Sequence, residues 1–202
     1  MNWKLTTINQ ETDHRFLNFF TFIYTVNKDG EDALYPYYVA SRRSKDKLSA
    51  KTGDFQRADG VLILVIKEEP EPSVLLIEQF RPPLNSMVVE IPAGLLEPED
   101  ENEIVAACRE SIEEAGVELT DVRVLCPASP TSAGLSDELA AVVEGKVKKM
   151  TATHLERFED ISARFVPLRE IPALLEDSTK VVALNLRLCL LYLLERYKEV
   201  IQ

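Results

Sequence analysis

The stretch "RESIEEAG" at residues 109–116 sets Arg109, Glu110, Glu113 and Glu114 just ahead of Gly116. Glycine takes the left-handed conformation that closes helices at little cost. Upstream, Ile104, Ala107 (or Cys108), Ile112 and Ala115 repeat at helical spacing. The segment from about Glu101 to Ala115 is therefore predicted as a helix, capped by Asn102 or the acids before it. Its carboxylates crowd the negative end of the helix dipole. Glu110 and Glu114 are also a like-charge i,i+4 pair, which costs roughly 0.2–0.5 kcal/mol in water. Facing a pocket, two such charges about 5 Å apart repel by roughly 3 kcal/mol and need a counter-ion. Two readings stay open on spacing alone: a solvated acidic face, or a metal site. Oxygen ligands without a nearby His or Cys select Mg²⁺ or Mn²⁺ over zinc.

Such a helix needs a sheet to hold it. Residues 16–43 alternate, with Phe20, Phe22, Tyr24 and Val26 on one side, and the turn "NKDGED" makes the segment a β-hairpin. Residues 44–57 are polar and read as a loop or linker. Strands are predicted at 61–67, 74–79 and 87–92, with "RPP" at 81–83 as a breaker. A strand at 122–127, a long loop at 128–138 and strands at 139–147 and 163–167 follow the central helix. A short helix, "LREIPALLED", and a longer one at about 180–198 close the chain. On the latter, Leu184, Leu188, Leu191 and Leu194 (or Glu195) form a stripe read as core packing. Strands dominate the first two thirds, so the arrangement is α+β or layered α-β-α.

With 46% hydrophobic and 28% charged residues, the 202-residue chain has enough for one good core, or a core with a small appendage. A net charge of −11 argues against a general nucleic-acid binder. Anionic small molecules are compatible with it only where metals or placed arginines line the site. Three cysteines without a CxxC pair point to a reduced, cytoplasmic compartment. "MNWKLTTINQ" lacks a signal-peptide layout, and "VLILVI" at 61–66 is too short to cross a bilayer. The expectation is a soluble protein with no membrane or nucleic-acid partner. His14 and His154 have no metal-type spacing, and no GxSxG, P-loop or Rossmann glycine fingerprint is present.

The segment "GLLEPEDENEIVAACRESIEEAGV" resembles the signature of the Nudix hydrolases, Gly-x5-Glu-x7-Arg-Glu-U-x-Glu-Glu-x-Gly-U, where U is apolar. From Glu101 onward the register holds through Arg109, Glu110, Glu113, Glu114, Gly116 and Val117. Two positions depart. Gly94 lies one residue too far from Glu101, so the loop carries an insertion or Asp100 replaces the glutamate. Ser111 takes an apolar position, which implies looser packing under the helix. The resemblance implies that Glu110 and Glu114 are the main metal ligands and Glu113 a further one. It also implies that Glu101 supports the metal cluster and that Arg109 orients a carboxylate.

"EQFRPPLNSMVVEIPAG" at 78–94 is similar to the run before the signature in ADP-ribose pyrophosphatases. By that likeness Arg81 contacts substrate phosphate, Glu90 lies on the substrate side and Ala93 offers its carbonyl to a metal. Glu138, in "SPTSAGLSDE", corresponds to a mobile glutamate that positions or activates water. Ala133 stands where that branch carries a proline, with Pro130 three residues earlier, so other nucleoside diphosphate sugars stay open as substrates. Related enzymes dimerise through an N-terminal β domain. The likeness puts Tyr37 (or Tyr38) against the adenine and Arg42 on phosphate or ribose, with packing of the hairpin an equal reading of the tyrosines. Trp3 is left without a role, next to an unanchored terminus.

The expected fold class is α+β, a Nudix fold (α-β-α sandwich with mixed sheet) plus a small N-terminal antiparallel β domain. Residues 1–57 form the N-terminal β domain and 58–202 the hydrolase domain. The implied activity is Mg²⁺-dependent (or Mn²⁺-dependent) hydrolysis of ADP-ribose to AMP and ribose 5-phosphate by a homodimer. GDP-mannose or ADP-glucose hydrolysis is the alternative. A non-catalytic Nudix sensing domain is the second; such domains generally lose signature glutamates, which are intact here.

Overall fold

The alternation of "NFFTFIYTVNK" makes a strand, β2 (Asn18–Lys28), that pairs antiparallel with β3 (Glu31–Ser41) in the computed structural model of the chain. The structure describes residues 1–155, 157 and 160–201. Lys28 pairs with Glu31 across a two-residue turn, with Asp29 at φ 56° and Gly30 at φ 90°. Positive φ at both positions matches the twist of the flanking strands. Phe20, Phe22 and Val39 bury one face of the hairpin, with Leu48 beneath them.

A third strand, β1 (Asn2–Gln10), joins this sheet in the order β1-β2-β3, within the expected N-terminal β domain but at a segment where the sequence predicts no strand. The reason is a bulge. Pairing with β2 shifts between Leu5 and Thr7, so Leu5 and Ile8 both reach the core cluster although they stand three positions apart, on opposite faces of a regular strand. A bulge's extra residue breaks the period-2 signal. Trp3 is thereby anchored, with its ring edge-on to Tyr24 at 5.7 Å and to Tyr35 at 5.4 Å. The polar stretch read as a loop at 44–57 holds one helical turn, α1 (Ser49–Thr52), ended by Gly53 in the left-handed conformation.

The chain divides into two units, Met1–Asp59 with Ala128–Ala140, and Gly60–Pro127 with Ala141–Gln202. The second unit is built on β4 (Gly60–Lys67), β5 (Ser73–Arg81), β6 (Ser86–Glu90), β7 (Ala93–Leu95), most of β8 (Val117–Pro130), most of β9 (Leu139–Met150) and β10 (Ile161–Pro167). The sheet order is β10-β5-β4-β9-β8, with β6 on β5 and β7 on β4. β8 is longer than predicted and takes in the start of the expected loop.

Both faces of this sheet are covered, which is why "VLILVI" is continuously apolar rather than alternating. Val61, Ile63 and Val65 pack toward Ala106, Ala107 and Ala115 of α2 (Glu103–Ala115). Leu64 and Ile66 pack toward Ile171 of α3 (Ile171–Glu176) and toward Leu186, Leu190 and Leu193 of α4 (Leu184–Arg196). A last turn, α5 (Lys198–Ile201), follows. No helix among the described residues is long and apolar enough to cross a membrane.

Of the leucine stripe assigned to the core, Leu194 packs against it, but Leu184, Leu188 and Leu191 lie on the wrong face of α4. Leu184, Leu188 and Leu191 are more than half exposed, at 73%, 59% and 56%, whereas Leu186, Leu190 and Leu193 are fully buried. The two stripes share the same i, i+4, i+7 spacing and differ by two residues, roughly 200° around the helix. Leucine periodicity alone does not choose between them. Glu144 helps tether the end of α4, since its buried carboxylate accepts from Arg196 and from Arg123.

Candidate active site

Asn102 caps α2 with its side-chain oxygen, which accepts from the N–H groups of Ile104 and Val105. Gly116 ends the helix at φ 63°, and a Cβ there would meet the Thr151 carbonyl at 2.4 Å. Thr151 N–H also donates to the Gly116 carbonyl. Ser111 does not loosen the packing, as its apolar slot suggested. Its hydroxyl is fully buried and donates to the Val117 carbonyl at 2.6 Å, tying the helix to the strand that follows.

The start, end and roll of α2 set where its charged side chains go. Glu114 is buried, at 6% exposure, and accepts from Ala93 N–H at 3.0 Å. Arg109 stands between the other acids. One terminal nitrogen donates to both Glu110 and Glu113 at 2.9 Å, and the other to Asp100 at 2.8 Å and to the Leu95 carbonyl at 3.0 Å. Gly94 closes over this group, since a Cβ on it would fall 1.9 Å from the Glu110 carboxyl. Ala93, Arg109, Glu110, Glu113 and Glu114 are thus gathered by β7 and α2.

Asp100, and not Glu101, supplies the acid at the start of the motif. Asp100 is buried and also accepts from Glu97 N–H, while Glu101 is exposed. Five intervening residues after Gly94 lead to it, as one of the two alternatives the spacing left. The Arg109 hydrogen bonds hold the Asp100 carboxyl below the usual carboxylate range. The same bonds, with those to Glu110 and Glu113, push Arg109 further above its already high value.

Asp100 therefore carries a pH signature. Its folded form binds a proton less readily than its unfolded form, so its stabilisation is complete above about pH 4 and lost as pH falls through the depressed value. Asp100→Asn is expected to cost roughly 1.5–3 kcal/mol at neutral pH, the worth of charged hydrogen bonds. It should also flatten the acid limb of stability. Urea midpoints in EDTA between neutral pH and about pH 2.5 check this, and an acid limb as steep as the parent's would count against it.

Among the described residues, no three His, Cys, Asp or Glu side chains close into a metal cage. The donor set nevertheless fits a hard cation: every candidate ligand is an oxygen, and the missing side chain at Gly94 lets the Glu110 carboxyl lie against the backbone there. Arg109 pairs with two of the candidate ligands, Glu110 and Glu113, in this arrangement.

The remaining candidates fall in two places. Arg81 on β5 pairs with Glu90 on β6 at 2.7 Å, within the second unit. In the first unit Arg42 pairs with Glu138 at 2.9 Å. Tyr37 packs on the hairpin core and donates its hydroxyl to the Gly134 carbonyl at 2.8 Å, whereas the ring of Tyr38 is 71% exposed. Thr131, whose hydroxyl donates to Glu138 at 3.1 Å, and the Arg43–Asp59 pair carried no signal in the sequence.

Residues 55–184 match the NUDIX domain family. The chain belongs to the Nudix family. An ADP-ribose pyrophosphatase of Bacillus subtilis (strain 168) is 34% identical over 145 residues, which is 72% of this chain and 74% of the relative. A methanol dehydrogenase activator of Bacillus methanolicus is 38% identical over 111 residues, 54% of this chain. That match spans 56% of the activator's own length. The crystal structure of an ADP compounds hydrolase superposes with a TM-score of 0.73 over 98% of this chain and 96% of that one, at 15% identity. The likeness establishes the expected α+β Nudix fold, with its small antiparallel N-terminal sheet. Arg109, Glu110, Glu113 and Glu114 thus lie on a helix within the matched domain.

Proposed function

We propose that this Nudix chain is a divalent-metal-dependent pyrophosphohydrolase that splits ADP-ribose into AMP and ribose 5-phosphate, with Mg²⁺ as its ion and Mn²⁺ as a substitute. The observation that carries the reading is the all-oxygen group of Glu110 and Glu113, both held by Arg109, and Glu114, held by Ala93 N–H. Glu110 and Glu114 would hold the ion, with Glu113 and the Ala93 carbonyl as further ligands. When bound, the ion offsets carboxylate repulsion, polarises phosphoryl oxygens and acidifies a water. Arg109, anchored by Asp100, keeps Glu110 and Glu113 aimed. Arg81, aligned by Glu90, takes a phosphate, and Glu138 assists the attacking water. Water adds to one phosphorus, the bridging P–O bond breaks and the two monophosphates separate.

Tyr37, or Tyr38 with its exposed ring, is proposed to stack on adenine, and Arg42 to contact phosphate or ribose. The N-terminal sheet leaves Phe19, Leu34, Tyr35 and Tyr38 exposed, which supports a homodimer through residues 1–57. None of Cys108, Cys126 and Cys189 is in a disulfide, in keeping with a cytoplasmic location. A second reading, another nucleoside diphosphate sugar as substrate, is favoured by Ala133 in place of the proline.

The test is phosphate release from ADP-ribose with Mg²⁺ and a coupled phosphatase, with EDTA as control. Metal-dependent AMP formation is expected. Turnover of only GDP-mannose or ADP-glucose would keep the chemistry and move the specificity. Silence across the panel would overturn the enzymatic reading in favour of ligand sensing.

A further inference from the structure

Arg42 and Glu138, assigned separate roles above, share one ion pair. The Arg42 Nε–H donates to Glu138 Oε1 at 2.9 Å, and the Thr131 hydroxyl donates to Glu138 Oε2 at 3.1 Å. Both carboxylate oxygens are therefore engaged. The backbone on either side is pinned. Asp137 accepts from Ser49 N–H at 3.0 Å, and Leu139 N–H donates to Asp59 at 2.8 Å. Asp59 N–H returns a bond to the Leu139 carbonyl at 2.8 Å, and Arg43 grips both Asp59 oxygens at 2.9 Å. Thr131 N–H donates to the Glu138 carbonyl at 3.1 Å. With residues 137–139 held this way, the part left to move is the Glu138 side chain, which is one-third exposed.

We propose that Arg42 and Thr131 are positioning residues that park Glu138, and that a phosphate engaging Arg42 releases it. Two anions on one guanidinium repel each other, so the phosphate and the Glu138 carboxylate compete for Arg42. The water-assisting carboxylate becomes available when an anionic substrate has arrived, by side-chain rotation on a fixed backbone. This rests on the reading that Arg42 contacts substrate and Glu138 assists water.

The latch makes a prediction of unusual sign: removing the carboxylate should tighten binding while slowing hydrolysis. The probe is the non-hydrolysable α,β-methylene analogue of ADP-ribose, titrated by calorimetry with Mg²⁺ into the whole chain. Glu138→Gln and Glu138→Ala are expected to bind it about two- to fivefold more tightly than the parent, the scale of a partly exposed ion pair. Thr131→Val should shift affinity the same way by less. In an Arg42→Ala background the gain from Glu138→Gln should vanish. A gain that persists there reflects general charge repulsion and overturns the latch, as does unchanged or weaker binding by the single variants. If the parent binds neither this analogue nor any sugar nucleotide, the functional reading fails and takes the latch with it. If the parent binds and the variants gain nothing, the latch alone fails. Thermal melts confirm that each variant is folded.

Discussion

Replacing Glu114 with glutamine is expected to cut turnover about a thousandfold, roughly 4 kcal/mol of lost transition-state stabilisation, with the fold intact. The side chain is almost fully buried, and its oxygen accepts from Ala93 N–H. Glutamine has the same shape and keeps a carbonyl acceptor for that bond, so the link between α2 and β7 survives. What is lost is the charge that would oppose a cation. Melting in EDTA then reads the fold of the variant apart from the metal. Adding Mg²⁺ should then raise the melting temperature of the parent, because a ligand that binds only the folded state stabilises it. It should leave the variant unmoved. Near-parental turnover would refute the ligand assignment, and a large loss of stability in EDTA would show that Glu114 is chiefly structural.

Gly94→Ala is expected to separate activity from stability in the same way, by a steric route. The new methyl would land 1.9 Å from the Glu110 carboxyl. The neighbour is a side chain rather than backbone, so Glu110 can swing aside, but only by giving up its bond to Arg109. Arg109 keeps Asp100, Glu113 and the Leu95 carbonyl, so the unfolding free energy should fall by about 1 kcal/mol. Displaced from its place, the carboxylate no longer serves a metal. Activity should fall roughly 10–100-fold, the scale for disturbing the support of a metal site, with a matching rise in the Mg²⁺ concentration needed for half-maximal rate. Steady-state rates across a Mg²⁺ series and urea titrations together decide it. Full activity at parental Mg²⁺ would mean that Glu110 works from another rotamer. The same substitution at Gly116 differs in kind, because the obstruction there is the Thr151 backbone and φ is positive.

Much of the site was legible because its signals are local. A like-charge pair, a helix-ending glycine and a fixed count from Arg109 to Val117 all lie within one helix and its cap. Local rules are broken together there, which is how functional positions show in a sequence. Asp100 was half legible: counting forward from Gly94 and backward from Arg109 disagreed, and burial of one acid decided between them. Ser111 misled, because the side chain alone does not reveal that the Val117 carbonyl waits for its hydroxyl.

The sequence by itself determined the family, the central helix with its cap and stop, the hairpin turn at Asp29-Gly30 and most strands. These follow from propensity, capping and periodicity, which act over a few residues. Only the tertiary structure decided which of two equivalent leucine stripes on α4 meets the sheet, because both have helical spacing and the choice belongs to the partner surface. It alone brought in β1, whose bulge hides its alternation until β2 is there to pair with it. It alone joined Arg42 to Glu138, 96 residues apart, since an ion pair between distant segments leaves no pattern in either one.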